Sequence, residues 1–504
     1  MPHKVSYSKH TTMKLQDELR LSAGLLDTRR HFLKQCTSGI GAMAMGTLFG
    51  GCNTNKLAGT PSIVADLSGI KAAQFVAKAK TVIFIHLAGS PSQLELYDYK
   101  PELTKMDGKP CPDSFLEGKK FAFIRGVPNM LGSVGKFKQH GQSGAWLSDY
   151  FSYLPQVADE ITFLKAMYTD QFNHAPAQLF MQTGSARLGK PSMGSWVTYG
   201  LGTDNANLPG FMVLVSGGNN PDAGKSIWGS GFLPSIYQGV QCRSEGEPVL
   251  FLNDPNGLDR NLRKKAMDAL SEVNKQQYET FKDPETLARI AQYEMAFKMQ
   301  VSVPEVMDIS KEPAYIQELY GTKPGQPSFA NNCLLARKLV EKGVRFVQLY
   351  DWGWDTHGNV KEGSLEHGLR DKVKEIDQPI TALLLDLKQR GLLDETLVVC
   401  GTEFGRTPMQ ENRNGKTMPF KGRDHHTDAF TCWLAGGGIK RGFSMGESDE
   451  FGYTGISDRT HVHDLQATIL NQLGFNHEKL TYEFQGRPFR LTDVGGKVIT
   501  KVIA

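Results

Sequence analysis

Val344-Arg345-Phe346-Val347-Gln348-Leu349-Tyr350 runs directly into Asp351-Trp352-Gly353-Trp354-Asp355-Thr356-His357. The first segment is apolar almost throughout. A strand buried on both faces reads this way, whereas a strand with one wet face alternates. A helical stretch, 329–343, precedes it and stops at Gly343. Two carboxylates and an imidazole follow it. In an open α/β sheet, ligands gather beyond the carboxyl ends of the strands, so this order of parts points to a site as well as to a fold.

The same order recurs along the chain. Thr81-Val82-Ile83-Phe84-Ile85-His86-Leu87 is a β-branched apolar run that ends in Ala88-Gly89-Ser90-Pro91. Segments 160–164, 210–215, 395–401 and 429–434 read as further strands. Residues 259–301 carry Lys, Glu, Gln, Ala and Leu at helical spacing and predict two helices, with Pro284 near the start of the second. Segment 372–390 predicts a helix kinked at Pro379 and closed by Gly391, and 463–473 predicts the last helix. Strands alternating with helices imply an α/β fold: a mostly parallel sheet sandwiched by helices, with 259–330 as a helical insert.

The 504 residues are enough for one large domain or two to three smaller ones, and the pattern here gives a single domain over 76–504. The 57 basic and 53 acidic residues nearly cancel, which argues against nucleic acid as a partner. Seven cysteines show no CxxC spacing, so neither a zinc knuckle nor a disulfide framework organises the chain. Cys400 and Cys432 sit in apolar runs and read as small buried hydrophobes.

The N-terminus reads as an address. Thr28-Arg29-Arg30-His31-Phe32-Leu33-Lys34 matches the twin-arginine consensus, and a Gly- and Ala-rich run without acidic residues follows it. Residues 1–52 are therefore expected to be a twin-arginine signal peptide and 53–75 a linker. The expected location is periplasmic or at the cell surface, with the twin-arginine export machinery as a partner. Leu48-Phe49-Gly50-Gly51-Cys52 resembles a lipobox, so Cys52 is a candidate membrane anchor.

Other strand-flanking loops repeat the acid-and-imidazole theme. Gly401-Thr402-Glu403-Phe404-Gly405-Arg406-Thr407 follows one strand, and Gly422-Arg423-Asp424-His425-His426-Thr427 precedes another. Asn173-His174-Ala175-Pro176-Ala177 follows a third at some distance. Carboxylates and imidazoles meeting at one sheet edge suit a divalent metal: zinc, calcium or manganese. Singly, an Asp-x-His is as well explained as a turn and helix cap, and Asp424-His425-His426 as a solvated loop. Trp352, Trp354 and Phe404 read either as core packing or as faces for a sugar ring.

Together with Gln182-Thr183-Gly184, Gly189-Lys190-Pro191-Ser192-Met193-Gly194-Ser195-Trp196 and Asp464-Leu465-Gln466-Ala467-Thr468-Ile469-Leu470, these stretches resemble the DUF1501 family, related to the alkaline phosphatase and sulfatase superfamily. The resemblance spans about 80–500. It implies an alkaline-phosphatase-like sheet with metal at its carboxyl edge, held by Asp355, His357, Glu403 and His426, with Asp424 or His425 beside them. It also shows departures. Phe404 stands where the superfamily carries a metal-binding His. The first strand lacks its terminal acid. The nucleophile position ahead of Thr183-Gly184 holds His174-Ala175-Pro176-Ala177, leaving His174 as a ligand or base and Ser90 and Ser92 as substitute nucleophiles. The implied function is an exported metal-dependent hydrolase of phosphate or sulfate esters acting through metal-activated water. Its substrate would be a small-molecule or saccharide ester, with Arg406 or Lys190 pairing the anionic group. The alternatives are a noncatalytic surface protein that binds a ligand or glycan, and a different hydrolase using the same metal.

Overall fold

The structure, a computed structural model, describes residues 73–119, 121–243, 260–281, 284–413 and 415–504. The signal-peptide segment, Cys52 and all but the end of the 53–75 linker lie outside the described residues. All described residues belong to one compact unit, Ser62–Ala504.

Among the described residues nine strands form the main sheet: β1 Thr81–Ala88, β2 Ile161–Tyr168, β3 Phe211–Ser216, β4 Val240–Cys242, β5 Phe346–Trp352, β6 Thr396–Gly401, β7 Phe430–Ala435, β8 Phe443–Met445 and β9 Thr460–His461. Their spatial order is β8-β2-β7-β6-β1-β5-β3-β4, and β9 also pairs with β2. Every pairing is parallel except those of β7, which runs against both β6 and β2. All six strands expected from the sequence are present. The short edge strands β4, β8 and β9 were not anticipated, because two or three residues are too few to show a pattern.

The helices along the described chain include α1 His174–Thr183, α2 Met193–Leu201, α3 Arg260–Phe281, α4 Pro284–Met307, α5 Ala314–Tyr320, α6 Phe329–Glu341, α7 Arg370–Gln389 and α8 Val462–Gln472. The continuous apolar runs are explained by a core on each side of the sheet. Ile83, Ile85 and Leu87 of β1 face the side covered by α6 and α7, where Leu334, Leu339, Ile376 and Leu383 are buried. Val82 and Phe84 face the other side, against Phe180 of α1, Trp196 of α2 and Ile469 of α8. Because side chains alternate along a strand, burial of both faces leaves no place for a polar period of two.

The expected insert is helical. Its second helix, α4, is built into the main core through Met299, Val303 and Val306. Pro379 lies inside α7, which continues past it to Gln389. No described helix is long and apolar enough to cross a membrane.

The reversal of β7 has a direct effect on the site. Residues that follow the parallel strands and residues that precede β7 arrive at the same edge of the sheet. The loop after β6 and the loop before β7 meet there as a two-residue antiparallel ribbon, in which Arg406 pairs with His425 and Gly405 with His426.

Candidate metal centre

The centre is assembled at the ends of β1, β5 and β6 and at the start of α1. After β1 the chain turns through Gly89 at φ +111°, where a Cβ atom would lie 2.7 Å from the Asp355 backbone nitrogen. Only glycine fits that approach. Its N–H donates to Glu403 Oε1 at 3.0 Å. Beyond β5, Trp354 is fully buried and donates its indole N–H to Asp351 Oδ2 at 2.9 Å, fixing the backbone that presents Asp355.

Three imidazoles converge on one carboxylate oxygen. Asp355 Oδ1 lies 2.9 Å from His357 Nε2, 3.4 Å from His174 Nε2 and 3.5 Å from His425 Nε2. Each ring is anchored through its other nitrogen. His174 Nδ1 donates to Glu403 Oε1 at 2.7 Å, His425 Nδ1 to the Phe172 carbonyl at 2.8 Å, and His357 Nδ1 to Glu411 Oε2. A carbonyl or an ionised carboxylate can only accept, so Nδ1 carries a proton, and in the neutral ring it is Nε2 that turns its lone pair toward Asp355. Nε2 of His174 and of His425 are buried without a hydrogen-bond partner. Orphaned imidazole nitrogens around a carboxylate, with the far ring nitrogens held by carboxylates and a carbonyl, form the shell that a metal ion requires. The residues present therefore fit a divalent metal. Three nitrogens and one oxygen suit zinc, and suit calcium least, since calcium takes six to eight oxygens.

Asp355 is the opening of the centre, with its side chain 38% exposed. Phe404 closes one wall, its ring centroid 4.9 Å from that of His174 and 4.6 Å from that of His425. Phe123 closes another, edge-on to His357 and His425 at 4.9 and 5.6 Å.

Electrostatics follow from the geometry. Burial works to raise the Asp355 carboxyl, but Arg406 and the three imidazoles outweigh it and hold the group far below the usual carboxylate range. Burial pulls His174 down, yet its contacts with Asp355 and Glu403 raise it to about 9. His357 is raised against burial by Asp355 and Glu411. Burial dominates at His425 and, with Arg406 and His174 beside it, lowers it to about 4 despite Asp355.

The residues singled out from the sequence separate into those at the centre and those around it. Asp355, His357, His425 and His174 meet. Glu403 stands one layer back. Its fully buried carboxylate accepts from Gly89 N, His174 Nδ1, Gln178 Nε2, Thr402 Oγ1 and His86 Nε2 at 2.7–3.1 Å, so it holds the His174 ring rather than facing the opening. Asp424 accepts from the backbone N–H groups of Phe123, Ile124 and His425. His426 is turned away, its Nε2 on the Tyr453 carbonyl and its ring stacked on Tyr453, and burial lowers its basicity.

Arg406, expected to meet an anionic ester, is instead fully buried. It donates to the carbonyls of Gly89, Ser90 and Arg423 and to Asp355 Oδ1, which makes it the support of that carboxylate. Lys190 lies over the Phe489 ring at 3.8 Å, with Phe232 also beside it. Ser90 and Ser92 are fully buried. Trp354 and Phe404 are core residues with no face for a sugar, while Trp352 is half-buried.

Glu411 was missed. It sits in an irregular stretch with no strand before it, and its one mark is that no other acidic residue lies between Glu403 and Asp424. A second group, His357, Glu411 and Asp424, is close enough to hold an ion. Its acceptors are already used, Glu411 by His357 and by Arg413 Nε at 2.7 Å and Asp424 by three backbone N–H groups, so it serves as support for the centre.

A family model described as "Protein of unknown function (DUF1501)" matches residues 79–503. No curated protein matches the chain. Among solved structures the chain is similar to the PsFucS1 sulfatase from Pseudoalteromonas sp., at 13% identity over 86% of this chain and 76% of that one, with a TM-score of 0.37. It is also similar to the phosphonate monoester hydrolase SpPMH from Silicibacter pomeroyi, at 13% identity over 78% and 73%, TM-score 0.29. A third is the TAB5 alkaline phosphatase, at 13% identity over 71% and 92%, TM-score 0.27.

Proposed function

We infer that this chain, which belongs to the DUF1501 family of proteins of unknown function, is a metal-dependent hydrolase of phosphate or sulfate esters. The observation that carries the reading is the convergence of three Nδ1-anchored imidazoles on Asp355 at an open sheet edge. Asp355, His174, His357 and His425 would hold the ion, with zinc the best match to the donor set. A divalent metal at such a site supplies Lewis acidity toward an ester oxygen and lowers the pKa of water. The chain's own residues prepare the site for that chemistry. Glu403, Glu411 and the Phe172 carbonyl fix the tautomers of the three rings. Arg406 keeps Asp355 ionised. Phe404 and Phe123 exclude water from the walls. Water is the nucleophile in this reading, because Ser90 and Ser92 are sealed in the core.

The test is elemental analysis of the purified protein. About one equivalent of zinc is expected, lost in Asp355→Ala and His357→Ala, with turnover of nitrophenyl phosphate or sulfate lost in parallel. Metal-free protein that takes up no added ion would overturn the reading. A second reading, a ligand- or glycan-binding protein without turnover, is favoured by Phe404, whose ring occupies the side where the superfamily resemblance places a second ligand set. A metal-loaded protein that hydrolyses none of the esters would select it.

Export by the twin-arginine route to the periplasm or cell surface belongs to the same proposal. Arg29→Lys with Arg30→Lys is expected to leave the protein in the cytoplasmic fraction.

A further inference from the structure

We propose that a polar cavity beside the candidate centre is the subsite for the alcohol portion of the ester, and that this portion is an anionic saccharide. The proposal rests on the hydrolase reading and adds a substrate class to it.

The cavity holds about 890 Å³. That volume suits a whole small molecule and far exceeds what a bare phosphate or sulfate needs. It lies at the carboxyl edge of the sheet, where Ser216 ends β3, Cys242 ends β4 and Asp351 stands near the end of β5. The segment leading into α6 and one face of α7 form the opposite wall. Asp351 and Asp355 are four residues apart, so their Cα atoms are separated by at most about 14 Å. The loop after β3 is also tied to the centre. Ala223 N donates to Gln178 Oε1 at 3.1 Å, and Gln178 Nε2 donates to Asp222 Oδ2 at 3.0 Å and to Glu403 Oε1 at 3.1 Å. A molecule seated in the cavity is therefore within reach of Asp355.

The wall chemistry selects the occupant. Asn219, Asn220, Gln241 and Gln326 line the cavity, and their carboxamides make no side-chain hydrogen bond among the described residues. A carboxamide offers a donor and an acceptor together, which matches vicinal hydroxyl groups. The lining aromatics, Tyr320 and Phe329, are 0% and 4% exposed, so no stacking face is offered to a nucleobase. Asp351 is satisfied by Ser216 Oγ, Trp354 Nε1 and Lys372 Nζ at 2.7–2.9 Å, and Glu375 shares that lysine at 2.7 Å. Arg243 and Lys323 line the same cavity without an acidic partner among the described residues. The remaining field is positive and fits a sulfate or carboxylate carried by the saccharide.

The experiment is calorimetric titration of the full chain, metal-loaded and metal-stripped. The probes are a sulfated disaccharide, an unsulfated uronate disaccharide and a neutral disaccharide. At least one acidic probe is expected to bind both forms, and the neutral probe about tenfold more weakly. The pair Gln241→Ala with Lys323→Ala, both at accessible positions, is expected to weaken acidic binding about tenfold while Tm and metal content stay unchanged. The corresponding change at a distant surface lysine, Lys497→Ala, is expected to leave binding alone. Failure of both acidic probes, equal binding of the neutral one, or full affinity in the double variant overturns the subsite. Loss of metal content or turnover with disaccharide binding intact would instead sink the hydrolase reading and leave the subsite standing.

Discussion

Glu411 touches one ligand and would not touch the ion, so it separates support from coordination. Glu411→Gln keeps its volume but weakens the hold on His357 Nδ1. Metal affinity is expected to fall about 10- to 100-fold with the fold intact, read by competition with a chelator dye. The pH dependence has a definite sign. In metal-free protein His174, at about 9, carries a proton at neutral pH, whereas His425, at about 4, does not. Metal uptake needs the His174 Nε2 lone pair, so loading at pH 7 should release about one proton from this ring, and affinity should rise with pH until about 9. Calorimetry in buffers of different ionisation enthalpy reads that proton. At this scale Asp355 and His357 stood out in the sequence only in company, since an Asp-x-His alone reads equally as a turn and helix cap and it was the other acid-and-imidazole loops that pointed to a shared edge. The resemblance put His426 ahead of His425, and the structure reverses that order. Neighbours in an extended ribbon point to opposite faces, and that alternation sends one ring to Asp355 and the other to Tyr453. Glu411 had no pattern around it to read.

Strands β1, β3, β5 and β6 were legible because burial on both faces leaves an unbroken apolar run. The direction of β7 was not, since apolar periodicity carries no polarity of the chain. Yet this direction brings Asp424-His425-His426 to the working edge. The turn closing β1 is the element where fold and site are tied most tightly. Gly89→Ala would place a methyl group against the Asp355 nitrogen at a φ that alanine avoids. A loss of about 2 kcal/mol or more is expected in chemical denaturation, accompanied by weaker metal binding because Asp355 must shift.

The described part of the whole molecule depends on packing rather than on covalent staples. Cys111, Cys242, Cys333, Cys400 and Cys432 are all free and buried, and burial pushes the Cys242 and Cys432 thiols up to about 12. A maleimide is expected to leave these five unmodified in the native protein at neutral pH and to label them in denaturant, as read by mass spectrometry of peptides.

The reversed β7 also bears on how the protein is made. The four side chains proposed to hold the ion span positions 174 to 425, about half the chain. A ribosome must translate past His425 before the last imidazole exists, so no shortened nascent product can close the cage. On the proposed ligand set, the ion can be captured only once His425 has been made, late in translation.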